Sequence, residues 1–194
     1  EIAAGNNDNE ARTAIEALGM LRDPRAIGVL SGRLAHPFLS KYAAESLRKI
    51  GGASVTALLP LASDSNTTAR RAARDLLAQL DVQPEQLAHQ YLEDIRALDG
   101  SRRLHAMEAL AQMQSVPALQ EEVAERLQLL TLSRDSREVA GSLAALAAWG
   151  NSSNVSLLLQ LYEDKKYVRH KKAVLEALAG IGDETAFAVL ARGL

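Results

Sequence analysis

Residues 172–183 read "KAVLEALAGIGD", and this stretch decides the fold. Its apolar residues recur at spacings of three and four, which places them on one face of a helix. Leu178 and Ile181 are the central pair of that face. Gly182 follows at the position where a helix favours a left-handed residue at its C-terminus. The stretch therefore predicts one amphipathic helix with a defined end.

The same pattern occurs six times, at 12–23, 41–52, 71–81, 104–114, 140–151 and 172–183. Its central leucine recurs at intervals of 29 to 36 residues, as Leu18, Leu47, Leu77, Leu110, Leu146 and Leu178. An apolar residue follows three positions later, as Leu21, Ile50, Leu80, Met113, Trp149 and Ile181. Self-similarity at this period is typical of repeat architectures.

A second kind of amphipathic segment lies between these helices, at 24–36, 53–64, 84–98, 117–132, 153–164 and 184–194. Pro24, Pro84 and Pro117 stand where a first helical turn tolerates proline, and Gly51, Gly150 and Gly182 where helices end. Pro60 falls inside its segment and predicts a bend. The sequence predicts an all-α fold, an α-solenoid of about six antiparallel helix pairs.

The phrases "KYAAESLRKIGG" (41–52) and "ALAGIGDETAFAVLARGL" (177–194) resemble HEAT repeats of the phycobilisome-lyase-like kind. The resemblance covers nearly the whole chain, and repeats two, three and six carry it best. It implies an armadillo-like superhelix whose second helices line a concave face. It also implies a pairing between an aspartate in the turn and an arginine of the next helix, for which Asp64 and Arg70 have a suitable separation.

The repeats extend to both ends of the sequence, which predicts a single repeat domain over 1–194. The segment 184–194 would be apolar on one face, and solenoids need polar caps at their termini. We therefore expect either a segment of a longer protein or an end covered by an oligomer partner.

Composition excludes several classes of protein. Apolar residues make up 47% of the chain, enough for a core, whereas aromatic residues make up 4%, which favours helices packed through small side chains. The formal net charge is −2, so the whole chain exerts no strong pull on nucleic acid or an anionic membrane. The apolar runs are too short for a transmembrane helix. The sequence names no compartment; a soluble, cytoplasmic protein is the expectation.

Catalytic motifs are missing from the sequence. There is no cysteine, and the four histidines fall in different repeats without the spacing of a zinc site. His105 and Glu108 make a weak metal pair at best. "GIG" at 180–182 ends a helix and does not follow a strand, as a dinucleotide fingerprint requires. We therefore expect neither an enzyme nor a cofactor.

Charged residues of the second helices follow a regular pattern. Four repeats place a basic residue four positions before an acid, which predicts helix-surface ion pairs. These pairs are Arg12–Glu16, Lys41–Glu45, Arg71–Asp75 and Lys172–Glu176. A second basic row, Arg70, Arg103 and Lys171, lies beside them, and "KKYVRHKK" (165–172) concentrates positive charge. Trp149 is predicted to be a core residue beside Gly141, Ala145 and Ala148.

These features predict a protein–protein interaction scaffold that binds another protein or peptide along its second helices. The residues expected to contact the partner are Tyr42, Arg71, Arg74, His105, Lys171 and Lys172. Two alternatives stay open. One is an assembly or chaperone factor related to phycobilin-lyase subunits, which would bind a tetrapyrrole. The other is nucleic-acid binding through 165–172, which the net charge and scarce aromatics disfavour.

Overall fold

The computed structural model describes residues 2–184, 186, 187 and 191. The described residues form helices and turns and contain no strand, which confirms the predicted all-α class. They divide into two compact units, Glu1–Gln83 (unit 1) and Pro84–Leu194 (unit 2). The predicted helix 184–194, with its apolar face, lies mostly outside the described residues. The single domain over 1–194 stays a prediction.

Unit 1 contains five α-helices. They are α1 (Ile2–Leu21), α2 (Ile27–Gly32), α3 (Ser40–Ile50), α4 (Val55–Leu58) and α5 (Thr67–Gln79). The predicted second helices pack side by side, α1 on α3 and α3 on α5. α2 packs against α3, and α4 against α5. The helix α1 begins at Ile2, well before the predicted stretch 12–23.

Unit 2 repeats the arrangement with longer first helices. Its helices are α6 (Pro84–Arg96), α7 (Gly100–Gln112), α8 (Pro117–Leu130), α9 (Ser136–Trp149), α10 (Ser152–Glu163) and α11 (Lys171–Ile181). The pairs are α6 with α7, α8 with α9 and α10 with α11. The second helices α7, α9 and α11 form one layer, because α9 packs against both of the others.

The repeated leucines fill the core of both units. Five of them, Leu47, Leu77, Leu110, Leu146 and Leu178, are buried, whereas Leu18 is half-buried. The residue four positions before each of the five is buried as well, as Ala43, Ala73, Ala106, Ser142 and Val174. The apolar residues three positions later lie nearer the surface, except for Trp149. The leucine and the small residue before it therefore define the buried face.

The predicted helices over 24–36 and 53–64 are wrong in extent. The first consists of a 3₁₀ turn (Pro24–Ala26) followed by the short α2. The second passes through two 3₁₀ segments, Gly51–Ser54 and Leu59–Ser63, on either side of α4. Pro60 has no N–H with which to continue the α-helix. It therefore ends α4 instead of bending a longer helix.

Glycine has two different roles at the helix ends. Gly51 (φ +81°) and Gly182 (φ +68°) have the positive φ that the sequence predicts. Gly150 does not, with φ −64° and ψ 161°, so its predicted left-handed conformation is wrong. A Cβ on Gly150 would lie 2.6 Å from the carbonyl oxygen of Leu146 and 2.7 Å from Cγ1 of Ile181. Close packing of α11 against α9 explains this glycine.

Trp149 is fully buried, which confirms the prediction that it belongs to the core. Its indole Nε1 donates a hydrogen bond to the carbonyl oxygen of Leu110, at 2.9 Å. The side chain thus joins the ends of α7 and α9 while its only polar atom is satisfied. Gly141 lets the same two helices approach, because a Cβ there would already touch Met107, 3.4 Å from its Cε.

We predict that Gly19→Ala destabilises unit 1, whereas Gly28→Ala does not. A Cβ on Gly19 would lie 2.4 Å from Oγ and 2.8 Å from Cα of Ser46, so α1 and α3 would have to separate. Overpacking of this kind costs about 1–3 kcal/mol. Gly28 has open space around it, and alanine there favours the helix by up to about 1 kcal/mol. Denaturant unfolding of both variants measures the difference, and equal stabilities would contradict the close contact.

Candidate functional site

Two adjoining clefts run along the exposed side of the second helices of unit 1. The first, of about 520 Å³, lies between α3 and α5. The second, of about 530 Å³, lies between α1 and the start of α3. Pro37 and Lys41 line both of them. We call the residues that line the two clefts the unit 1 face.

The cleft between α3 and α5 has a mixed charge. Its cations are Lys41, Arg48 and Arg71, and its acids are Glu45 and Asp75. Apolar and small polar residues complete it, namely Pro37, Ser40, Ala44, Thr67, Thr68, Ala72, Leu76 and Gln79. Such a surface offers hydrogen bonds of both polarities around a narrow apolar floor.

Tyr42 stands between two cations in the other cleft. The Arg12 guanidinium carbon lies 4.6 Å from the centre of its ring, and the Lys41 Nζ lies 4.7 Å away. Cation–π contacts at exposed sites contribute about 0.5–1 kcal/mol each. Tyr42 is half-exposed and Phe38 is 71% exposed, and together they supply the aromatic surface of this cleft.

The two predicted arginines of α5 have different environments. Arg71 is exposed and lines the cleft between α3 and α5. Arg74 donates from Nε to the carbonyl oxygen of Ala62, at 2.8 Å, and so anchors the preceding 3₁₀ segment to α5. Tyr42 and Arg71 are therefore the predicted contact residues that the unit 1 face brings together.

The predicted contact residues of unit 2 lie on two helices. His105 is half-buried on α7. Lys171 and Lys172 begin α11, where the Lys171 Nζ lies 4.6 Å from the ring centre of Tyr162. Lys172 pairs with Glu176 at 3.5 Å, and its side chain is 90% exposed. The helix α9 lies between α7 and α11.

Two of the four predicted i,i+4 ion pairs are present. Arg12–Glu16 forms at 3.0 Å, and Lys172–Glu176 forms at 3.5 Å. Within the described residues, the pairs Lys41–Glu45 and Arg71–Asp75 are absent, so these two predictions are wrong. Glu45 instead accepts from Arg48, at 2.7 Å, and lies 3.9 Å from the Lys49 Nζ. Among the described residues, Lys41 and Arg71 therefore form no ion pair and remain at the clefts of the unit 1 face.

The region 165–172 is a 3₁₀ segment, Lys165–His170, that leads into α11. It packs beside the turn between α8 and α9, and a cleft of about 530 Å³ lies between them. The Tyr167 hydroxyl donates to the carbonyl oxygen of Thr131, at 3.1 Å. Burial raises the pKa of Tyr167, with a smaller contribution from the nearby Asp164 charge, so the hydroxyl keeps the proton that it donates.

The described residues contain no group of three or more histidines, cysteines, aspartates and glutamates that could hold a metal ion. Among the same residues, no helix combines the length and the apolar character that crossing a bilayer requires.

Residues 11–36 match the family model of the PBS lyase HEAT-like repeat. Over these residues the chain is similar to a HEAT-like repeat. The match begins in α1, crosses the turn at Asp23 and extends beyond α2. The match covers the first repeat and does not include 41–52 or 177–194, the two stretches that resemble HEAT repeats in the sequence. No curated protein matches the chain.

Two arginines of the second basic row, Arg70 and Arg103, close the turns that precede α5 and α7. Arg70 donates to the carbonyl oxygens of Asp64, at 2.6 Å, and Ser65, at 3.3 Å. Arg103 donates to the equivalent oxygens of Ala97, at 2.7 Å, and Leu98, at 2.9 Å. Arg70 therefore contacts the predicted residue, Asp64, but through its backbone carbonyl oxygen and not through its carboxylate. The Asp64 carboxylate accepts from the backbone N–H of Asn66 instead, at 2.7 Å.

Arg103 also forms an ion pair that the sequence analysis missed. Its guanidinium contacts Glu138, the third residue of α9, which is 5% exposed. The second carboxylate oxygen of Glu138 accepts from the Ser133 hydroxyl, at 2.6 Å. This network joins the starts of α7 and α9. The sequence does contain a signal for this pair. Arg103 lies near the start of α7, and the acidic Glu138 lies near the start of the next second helix, α9.

We predict that Arg103→Ala lowers the free energy of unfolding by about 3 kcal/mol or more, because it leaves the buried Glu138 carboxylate without its partner. Arg71→Ala removes the same side chain from an exposed position and should change stability by less than about 0.5 kcal/mol. Chemical denaturation compares the two variants.

Replacing both members of the pair, as in Arg103→Met with Glu138→Leu, should recover much of the loss, since no buried charge remains. If Arg103→Ala and Arg71→Ala were equally stable, the ion pair would not contribute to the fold as described.

Proposed function

We propose that this protein is a non-catalytic scaffold that binds an extended or helical segment of a partner protein along the unit 1 face. The observation that carries the proposal is the pair of adjoining clefts on α1, α3 and α5, which share Pro37 and Lys41. Stacked repeats offer long surfaces for such contacts. The helical repeat fold itself needs no catalytic group.

The chemistry of the unit 1 face favours a peptide as the ligand. Tyr42 and Phe38 supply aromatic surface, and Lys41, Arg71 and Asp75 supply charges of both signs. Interfaces concentrate their binding energy in a few aromatic and arginine residues surrounded by near-neutral contacts. Tyr42 and Arg71 are the residues of this face that best fit that role.

The positions of the other predicted contact residues refine the proposal. Arg74 holds the carbonyl of Ala62, so its replacement would mix a stability effect with a binding effect. Lys172 and His105 belong to unit 2 and need a separate test. The proposal therefore rests on Tyr42 and Arg71, with Lys41 between the two clefts.

We predict that peptides selected on the whole chain from a random displayed library bind Tyr42→Ala/Arg71→Ala at least tenfold more weakly than the wild type. A loss of about 1.4 kcal/mol of binding energy corresponds to that factor. Fluorescence anisotropy of each labelled peptide gives the dissociation constants.

The matched control is Tyr162→Ala/Lys165→Ala, which also removes a half-exposed tyrosine and one cation, but from α10 and the 3₁₀ segment of unit 2. Its affinities should stay within twofold of the wild type. Peptides that bind both double variants equally, or a selection without binders, would overturn the assignment of the unit 1 face.

A further inference from the structure

A second candidate site lies in unit 2, in the cleft between the α8–α9 turn and the 3₁₀ segment Lys165–His170. The cleft has a volume of about 530 Å³. Its positively charged side chains are Arg134, Lys166 and Arg169, and His170 and Ser136 also line it. The lining contains no carboxylate among the residues that the structure describes.

The three cationic side chains are exposed and uncommitted. In the described part of the chain, Arg134, Lys166 and Arg169 form neither an ion pair nor a side-chain hydrogen bond. Arg70 and Arg103, by contrast, donate hydrogen bonds from their guanidinium groups to carbonyl oxygens of the turns. These three cations, which have no side-chain partner among the described residues, therefore line the same cleft.

The nearest carboxylates are already occupied by other groups. Asp135 accepts from the backbone N–H of Arg137 and pairs with its guanidinium, each at 2.9 Å. Glu138 is buried against Arg103. Asp164 accepts from the backbone N–H of Lys166, at 2.8 Å. The positive charge of the cleft is thus not neutralised by direct pairing.

The fold places this charge where the backbone also favours an anion. Arg134 lies two residues before the start of α9, and Arg169 lies two residues before the start of α11. The start of a helix carries a partial positive charge, so cations there are unfavourable without a counter-charge. The Asp135 carboxylate already caps α9, so a bound anion would remove that cost at α11, whose start has no side-chain cap and no acid in its first turn. His170 Nε2 and Ser136 Oγ lie 3.1 Å apart at the same place and add polar groups that an anion can use.

We propose that this cleft binds a phosphoserine or phosphothreonine of a partner protein. A phosphate dianion has three strongly accepting oxygens, which suits a cleft lined by three cationic side chains. Leu132 lines the cleft and is 55% exposed, and Val168 on the 3₁₀ segment is 59% exposed. They give apolar contacts to peptide residues next to the phosphate.

Nucleic acid fits the cleft less well. Single strands bind through bases stacked on exposed aromatic rings along an extended basic groove. The aromatic residue that lines the cleft is Tyr167, which is half-buried and bonded through its hydroxyl to Thr131. Three cations around one cleft suit a single phosphate better than a polymer of phosphates. The site lies in unit 2 and does not depend on the unit 1 face.

The test uses the full chain and three fluorescein-labelled probes in fluorescence anisotropy. The first is an eight-residue peptide with one phosphoserine flanked by leucine and glutamate. The second is the same peptide with glutamate in place of phosphoserine. The third is a 12-nucleotide single-stranded DNA. We expect the wild type to bind the phosphopeptide at least tenfold more tightly than either of the other probes.

Arg134→Ala/Arg169→Ala should weaken phosphopeptide binding at least tenfold. The charge-matched control, Lys165→Ala/Lys172→Ala, removes two cations from the same region that do not line the cleft, and should weaken it less than threefold. Far-ultraviolet circular dichroism checks that both variants keep the fold.

Equal binding of the phosphopeptide and the glutamate peptide, preference for DNA, or equal losses in the two double variants would overturn the proposal. Since the unit 1 face is tested with Tyr42→Ala/Arg71→Ala, failure of one site leaves the result for the other intact.

Discussion

The close approach of neighbouring second helices is the constraint on which the rest of this structure depends. Gly19 meets Ser46 across α1 and α3, and the Ser46 hydroxyl donates to the carbonyl oxygen of Ile15, at 2.9 Å. In unit 2, a Cβ on Gly180 would lie 2.0 Å from the carbonyl oxygen of Ala147. Such contacts require small residues on one side of the helix and leave the large leucines to fill the space toward the first helices.

This packing explains why charges separate into two groups. The starts of the second helices must close turns, and Arg70 and Arg103 do so by donating to backbone carbonyls. Side chains on the outer face do not close turns, and among them Lys41 and Arg71 lie at the clefts of unit 1. An arginine that stabilises the fold and one that is open to a ligand can therefore be adjacent in sequence, as Arg70 and Arg71 are.

The repeat pattern predicted most of the second helices, because leucine and alanine spacing reports directly on a buried helix face. The expectation that Tyr42 and Arg71 contact a partner rests on the same pattern and stays a prediction. Pro37 and Phe38 were missed, since they lie in the turn before α3 and carry no periodic signal. The sequence predicted the basic segment 165–172 but not the cleft beside it. Residues 132–139 and 166–170 come together only when α8, α9 and α10 pack. The role of Gly150 likewise depends on Ile181, which is distant in sequence.

Amide hydrogen exchange followed by mass spectrometry tests the central claim most directly. If the contacts between second helices hold each unit together, the amides of α3, α7 and α9 exchange slowest, near the rate of global unfolding. The short first segments of unit 1, 24–32 and 51–63, then exchange faster than α3 and α5. Equal protection of both kinds of helix, or faster exchange in α3 and α9 than in the first segments, would contradict this account.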